Sequence, residues 1–244
     1  MKKFAVLLMA AGRSQRFDHD VKKPYADIDG RAVWMRAADV FIKRQDVVQT
    51  ILVVAAEDEE NVQRRYGPNM AFMNVQLVLG GKERSDSVAQ GLAAVQPDID
   101  FVAIHDAARP CLTDVMVEKV FALAIELGAA ILAAPVVDTL KRADKQLQIT
   151  RTEDRTDLWL AQTPQVFRRD IILKAYQSKP DASATDDSVL VETLGYPVAI
   201  CKGDHTNIKI TTLSDLFLAE AIVKSRPKPK SKAFHPFADE AMWK

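Results

Sequence analysis

Apolar and polar positions along the chain fall into two alternating patterns, short unbroken apolar runs and longer stretches with helical spacing. The first run, FAVLLM at 4–9, is bounded by Lys3 and by the turn Ala10-Ala11-Gly12, which is the look of a short strand buried on both faces. After a turn at DIDG (27–30), Val33, Ala37, Val40 and Phe41 mark a helix over 32–42. TILVVA at 50–55 is a β-branched strand, and Glu57-Asp58-Glu59-Glu60 opens a helix running towards Tyr66, with its carboxylates at the favourable end of the macrodipole. VQLVL at 75–79 is the third strand. Gly80-Gly81 turns it, through an unusual backbone, into a helix from about Ser85 whose buried stripe is Val88, Leu92 and Val95. FVAIH at 101–105 is the fourth strand; a helix over 113–127 follows, with Thr113 as N-cap and Val117, Val120, Phe121 and Ala124 inward, then a strand at 130–134.

Such alternation predicts an α/β fold with a mostly parallel, doubly wound sheet flanked by helices, whose ligands bind beyond the carboxyl ends of the strands. The pattern breaks at 135–159. DTLKRADKQLQIT is polar and weakly alternating around Ala143-Asp144-Lys145, a hairpin with little to bury against its own domain, so a second subunit is the economical partner for it. After Thr163-Pro164-Gln165 the alternation resumes, with helices at 169–177 and 186–194, a strand at 198–201, a short β-like NIKI at 207–210 and a last helix at 213–224. From Ser225 the composition shifts to alternating Lys and Pro, which cannot hold a helix. The expected organisation is therefore one domain over 1–224, with a β-arm at about 136–159, and a mobile tail at 225–244.

Bulk composition narrows the partners. With 33 Lys+Arg against 33 Asp+Glu, the chain has no global field to hold nucleic acid or an anionic membrane, so any anion site must be local. No run is long enough to cross a bilayer and the N-terminal run lacks a cleavage context, so the expected compartment is the cytoplasm. Cys111 and Cys201 have no metal-like spacing and are expected to be buried and reduced, and the four histidines are too scattered for a zinc site.

Three clusters could carry chemistry, all at predicted strand ends. The first is Ala10-Ala11-Gly12 with Arg13, Arg16, Lys22 and Lys23, where small residues and cations suit a polyphosphate; taken alone it also reads as a plain turn with a solvated basic loop. The second is GGKERSDSV at 80–88, which could equally be a strand–helix turn with an N-cap serine. The third is HDAARP at 105–110, a carboxylate and an arginine suited to metal and phosphate, or to a structural Asp–Arg pair. There is no GxxxxGK[ST] loop, no proper GxGxxG and no GxSxG elbow. Cations without an obvious base suit nucleotidyl transfer to an acceptor that is already ionised, such as a phosphate monoester.

The ordered set LLMAAGRSQRF…KKPY, GGKERSDSV, HDAARP, APVVDTLKR, LWLAQTPQVF, ATDDS and NIKIT, spanning about 4–224, resembles the 2-C-methyl-D-erythritol 4-phosphate cytidylyltransferase family. The resemblance implies a Rossmann-like fold of the nucleotidyltransferase type and a cytoplasmic homodimer whose protruding β-arms are exchanged. It also implies Mg²⁺-dependent transfer of CMP from CTP to the polyol phosphate in the non-mevalonate isoprenoid pathway. Residue by residue, it implies that Ala10, Ala11 and Gly12 surround the triphosphate and that Arg16 and Lys23 stabilise the transition state at the α-phosphorus. Gly80, Gly81 and Lys82 would read the cytosine edge, with the Ser87 hydroxyl nearby. Asp106 and Arg109 would lie between nucleotide and acceptor, with Asp106 a candidate metal ligand and Mg²⁺ mainly on the phosphates. Lys209 and Arg155 would position the acceptor phosphate, Thr139 and Thr185 would contact the acceptor, and Arg155 and Thr139 would come from the other subunit. Ser14 and Pro24 depart from the family pattern AAGxGxR…KQ. Two alternatives stand beside this reading: a cytidylyltransferase for ribitol 5-phosphate or a similar pentitol phosphate, and a regulatory nucleotide-binding dimer.

Overall fold

A computed structural model of the chain describes residues 1–12, 22–178 and 186–227. Strand β1 (Phe4–Met9) is followed by a small hairpin of β2 (Asp27–Ile28) and β3 (Arg31–Ala32), then helix α1 (Val33–Ile42). Next come β4 (Val47–Val54), α2 (Glu59–Phe72), β5 (Val75–Leu79), α3 (Arg84–Ala93), β6 (Phe101–Asp106), α4 (Asp114–Leu127) and β7 (Ala129–Pro135). The arm hairpin is β8 (Lys141–Ala143) and β9 (Ile149–Thr152); β10 (Trp159–Arg168), α5 (Arg169–Gln177), α6 (Asp187–Thr193), β11 (Ala199–Lys202) and α7 (Leu213–Ser225) complete the described chain.

Seven strands form one sheet in the order β11-β7-β10-β6-β1-β4-β5. All neighbours run parallel except β10, which lies antiparallel between β6 and β7. The expected alternation of strands and helices is thus observed, with one strand that the apolar pattern does not announce. β10 carries Gln162, Pro164 and Gln165 in its middle, and a proline normally demotes a run to an edge or a bulge. Here the register does shift between Ala161 and Gln165, so the proline sits where the ladder is already interrupted.

Alternation along β1 explains its central place. Phe4, Val6 and Leu8 join one apolar cluster with α1 and α4, while Ala5 and Leu7 join the other with α3 and α5. Phe4 stacks on Phe121 of α4 at 4.0 Å between ring centroids. Each fully buried side chain of this size contributes roughly 1.5–3 kcal/mol before entropy is set against it, and β1 carries several of them. Both cysteines are free and buried, as expected.

Four expectations need correction. NIKI is not a strand: Asn207–Ile210 is irregular and is tied to the body by Ile210 N–H donating to the Ala108 carbonyl at 2.9 Å. The helix expected to run towards Tyr66 continues through Gly67-Pro68 to Phe72. Gly80 and Gly81 do not have positive φ. Their need for glycine is spatial, since a Cβ would come within 2.6 Å of Ser87 Oγ at Gly80 and 2.3 Å of Asp86 Cβ at Gly81. The last helix takes in Ser225, and the rest of the expected tail from 228 lies outside the described residues.

Candidate active site

Three loops converge because the ladder reaches one residue past each strand end. Ala10 N–H donates to the Val53 carbonyl at 2.8 Å, Gly80 N–H to that of Val54 at 2.7 Å and Ala107 N–H to that of Met9 at 3.1 Å. They meet where β1 separates β4 from β6, the point at which the strand order reverses and a crevice opens beyond the carboxyl ends. A cleft of about 420 Å³ lies there. Its walls include Gly12, Lys23, Gly81, Lys82, Arg84, Ser87, Asp106 and Lys209.

Of the expected site residues, Ala11, Gly12, Lys23, Gly81, Lys82, Ser87, Asp106 and Lys209 line this cleft, with Ala10 and Gly80 supporting its floor through the bonds just given. Arg16 and Thr185 lie outside the described residues. Thr139 and Arg155 are exposed on the arm segment and are not among the cleft's lining. Lys23 is half-buried at the start of a short 3-10 turn, Lys23–Tyr25.

The loop at 80–83 is held by one hydroxyl. Ser87 Oγ accepts from Gly81 N–H at 3.1 Å and sits 3.0 Å from the Glu83 carbonyl, to which it donates. The expected N-cap serine is not the cap: Glu83 caps α3, with Asp86 reaching back to the Glu83 N–H in a capping box.

At the opposite wall the Asp106 carboxylate Oδ2 lies 2.9 Å from Lys209 Nζ and 3.3 Å from Arg109 Nε. Burial alone would push this carboxyl up. Lys209, Arg109 and Arg84 outweigh burial and hold it well below the usual carboxylate range, so it is an anion at neutral pH. Arg109 also donates to the Asn207 carbonyl at 2.7 Å. Behind the carboxylate lies His105, fully buried, which burial pushes down to about 4 although Asp106 favours its charged form. It is therefore neutral.

Arg84, the arginine of GGKERSDSV, has a partner that the motif does not reveal. Its guanidinium clasps the Asp187 carboxylate at 2.9 and 2.6 Å, and Tyr176 donates to the same carboxylate at 2.6 Å. The pairing ties the start of α3 to the start of α6. Its members are 103 residues apart, and only the doublet Asp186-Asp187 hints at it in the sequence.

A cation-walled crevice at the switch point of a mostly parallel sheet, with an ionised carboxylate at its wall, suits a nucleotidyltransferase, and the comparisons with known proteins give that class. The family model for 2-C-methyl-D-erythritol 4-phosphate cytidylyltransferase matches residues 4–225, and the chain belongs to that family. A relative of that name from Pelotomaculum thermopropionicum is 42% identical over 236 residues, covering 93% of this chain and 96% of the relative. Another from Alkaliphilus oremlandii is 39% identical over 229 residues, covering 93% and 97%. The crystal structure of 2-C-methyl-D-erythritol 4-phosphate cytidylyltransferase from Thermus thermophilus is similar at a TM-score of 0.75 with 29% identity, covering 92% of this chain and 100% of that one. These likenesses favour the cytidylyltransferase over the pentitol-phosphate and regulatory alternatives.

Proposed function

We propose that the protein transfers CMP from CTP to 2-C-methyl-D-erythritol 4-phosphate, the step of non-mevalonate isoprenoid synthesis that gives 4-diphosphocytidyl-2-C-methyl-D-erythritol and pyrophosphate. The acceptor phosphate oxygen attacks the α-phosphorus, a new P–O bond forms, and the bond to the β-phosphate oxygen breaks. Pyrophosphate carries the electron pair away. No proton need be removed, because a phosphate monoester is already ionised.

The observation that carries this reading is the lining of the cleft. Among its described residues are four cations, Lys23, Lys82, Arg84 and Lys209, and no histidine, cysteine or tyrosine. Such a wall can align and neutralise two anions, and its two carboxylates are already engaged, Asp106 by Lys209 and Arg109 and Glu83 at the cap of α3. Lys23, with Arg16, is the candidate for stabilising charge at the α-phosphorus. Gly80, Gly81 and Lys82, shaped by Ser87, are the candidates for reading the base, and Ala10, Ala11 and Gly12 for cradling the triphosphate. Asp106 and Arg109 would orient Lys209 toward the acceptor phosphate, with Thr185 as a further acceptor contact.

Mg²⁺ fits this donor set as an ion carried mainly by the triphosphate. Among the described residues no group of three or more His, Cys, Asp or Glu could hold a metal, and Asp106, the candidate carboxylate, already has one oxygen on Lys209 and Arg109. Bound to phosphate oxygens, the ion would supply charge neutralisation at the leaving pyrophosphate.

The active form is a homodimer with exchanged arms, in the cytoplasm, and residues 1–224 act as one catalytic unit. The arm supports this reading: its hairpin is exposed along its length, and Val137, Leu147, Ile149, Leu158 and Leu160 expose apolar side chains that a second copy would cover. Thr139 and Arg155 would then reach the partner's cleft. No helix among the described residues is long and apolar enough to cross a membrane.

The test is pyrophosphate release with CTP and, in turn, 2-C-methyl-D-erythritol 4-phosphate and ribitol 5-phosphate. Turnover with the first and background release with the second is the expected result. The reverse pattern would make the protein a pentitol-phosphate enzyme, and release with neither would remove the catalytic reading.

A further inference from the structure

Behind the acceptor wall lies a buried polar chain that the reaction as described does not use. His105 occupies the penultimate position of β6 and is fully buried, its ring packed edge-on to Phe41 at 5.4 Å between centroids. Its Nδ1 lies 3.0 Å from Thr163 Oγ1 on β10, and its Nε2 lies 3.3 Å from the Arg109 carbonyl oxygen. Thr163 Oγ1 also accepts the Asp106 backbone N–H at 2.9 Å.

These partners fix every proton. A carbonyl oxygen can only accept, so the nitrogen facing Arg109 must carry hydrogen. In the neutral ring Nδ1 is then bare and must accept. The Thr163 hydroxyl, already accepting from Asp106 N–H, supplies its one proton to that nitrogen. The chain runs without a conflict: Asp106 N–H to Thr163 Oγ1, Thr163 O–H to His105 Nδ1, His105 Nε2–H to the Arg109 carbonyl.

Both ends of the turn that begins at Asp106 and ends at Arg109 are thus tethered, and Arg109 N–H closes it by donating to the Asp106 carbonyl at 3.0 Å. Thr163 acts a second time through its backbone. Its carbonyl accepts from Asn207 Nδ2 at 3.0 Å, and the Asn207 carbonyl receives the Arg109 guanidinium. We propose that His105 and Thr163 are positioning residues: a single imidazole tautomer, imposed by the Thr163 hydroxyl, holds the Asp106–Arg109 turn so that Asp106, braced by Arg109, aims Lys209 at the acceptor phosphate. The kinetic part of this proposal rests on the reaction described above, while the tautomer does not.

The test pairs imidazole ¹⁵N NMR with kinetics on the full chain. In the wild-type protein His105 shows a protonated Nε2 and an unprotonated Nδ1; a protonated Nδ1 with a bare Nε2 overturns the proposal without any variant. Thr163→Val keeps the shape and removes the hydroxyl, and Thr163→Ser keeps the hydroxyl. Thr163→Val raises the acceptor KM about tenfold while the CTP KM stays within about threefold, and Thr163→Ser restores the acceptor KM. Should the valine variant not fold, His105→Gln, which can still donate to the Arg109 carbonyl, is compared with His105→Asn, which is too short to reach it. The glutamine variant then keeps the lower acceptor KM. Equal acceptor KM values within either pair, or equal losses for CTP and acceptor, overturn the positioning role. An inactive wild-type protein with the expected tautomer would instead fault the assigned reaction.

Discussion

Lys209 Nζ sits 2.9 Å from Asp106 Oδ2, so a lysine on an irregular loop is aimed by a carboxylate at the end of a central strand. The lysine remains nearly half exposed towards the cleft while the carboxylate is almost covered. Replacing Lys209 by Ala should raise the acceptor KM at least about tenfold and leave the CTP KM within about threefold, since only one substrate's phosphate is addressed. Initial rates measured over both substrates check this. A parallel loss for CTP would assign Lys209 to the nucleotide.

The base loop gives a second expectation. A Cβ at Gly81 would lie 2.3 Å from Asp86 Cβ, so Gly81→Ala must move the loop against the first turn of α3. The groups that would discriminate cytosine from uracil move with it. The variant should stay folded, with kcat/KM for CTP lowered about tenfold or more and the preference over UTP reduced. Retention of full CTP preference would separate base reading from this loop.

Arm exchange can be tested with two inactive chains. Arg155 lies on the exposed arm segment and Lys23 in the cleft, so a mixed dimer of Arg155→Ala and Lys23→Ala chains would have one site with both defects and one with neither. Random exchange makes about half the dimers mixed, and recovery should approach about a quarter of wild-type sites. Activity at the level of the separate variants, with exchange verified by native mass spectrometry, would place Arg155 in its own subunit's site.

The Arg84–Asp187 clasp predicts a stability difference between neighbours. Arg84→Ala leaves a buried carboxylate with Tyr176 as its remaining side-chain partner, and should cost about 2 kcal/mol, less than a fully buried pair because the arginine side chain is a third exposed. Lys82→Ala, at an exposed position two residues earlier, should cost under about 0.5 kcal/mol. Urea unfolding of the two variants at equal protein concentration makes the comparison.

Acid should find His105 first. Burial lowers its folded pKa from 6.5 to about 4, so between these values the unfolded chain binds a proton that the folded one refuses. The stability this group contributes is fully present above about 6.5 and is lost as pH falls towards 4, on the order of 3 kcal/mol. Asp106, held low by Lys209, Arg109 and Arg84 against the effect of burial, gives up its share only below the ordinary carboxylate range. His105→Gln should therefore flatten the fall in unfolding free energy between about pH 7 and about pH 5. An unchanged slope would show that His105 is not the group responsible.

Much of the fold was legible because burial on two faces leaves unbroken apolar runs, as at β1, β4 and β6. β10 was not, because its middle exchanges apolar side chains for a hydrogen-bonding set, Gln162, Thr163 and Gln165, whose partners are remote in sequence. The cleft's local motifs were legible as clusters of small and charged residues after strands. Remote pairings such as Arg84 with Asp187 left no periodic trace, since an ion pair across 103 residues follows topology and not spacing. NIKI looked like a strand because Ile208 and Ile210 alternate, but Asn207 gives its Nδ2 to β10 and its backbone carbonyl to Arg109, and no ladder forms.

Strand β10 is exposed at Trp159–Ala161 and buried from Gln162 to Phe167, so the arm grows directly out of the piece of sheet that carries Thr163. This sets where the chain can change length. Residues added at the exposed hairpin tip, between Ala143 and Ile149, are far from any paired core strand and leave the body untouched. One residue added or lost between Leu160 and Gln165 must either be taken up by the existing bulge, enlarging or shrinking it, or turn every following side chain to the opposite face. Tolerance to insertion should therefore drop abruptly within a few residues along a single strand.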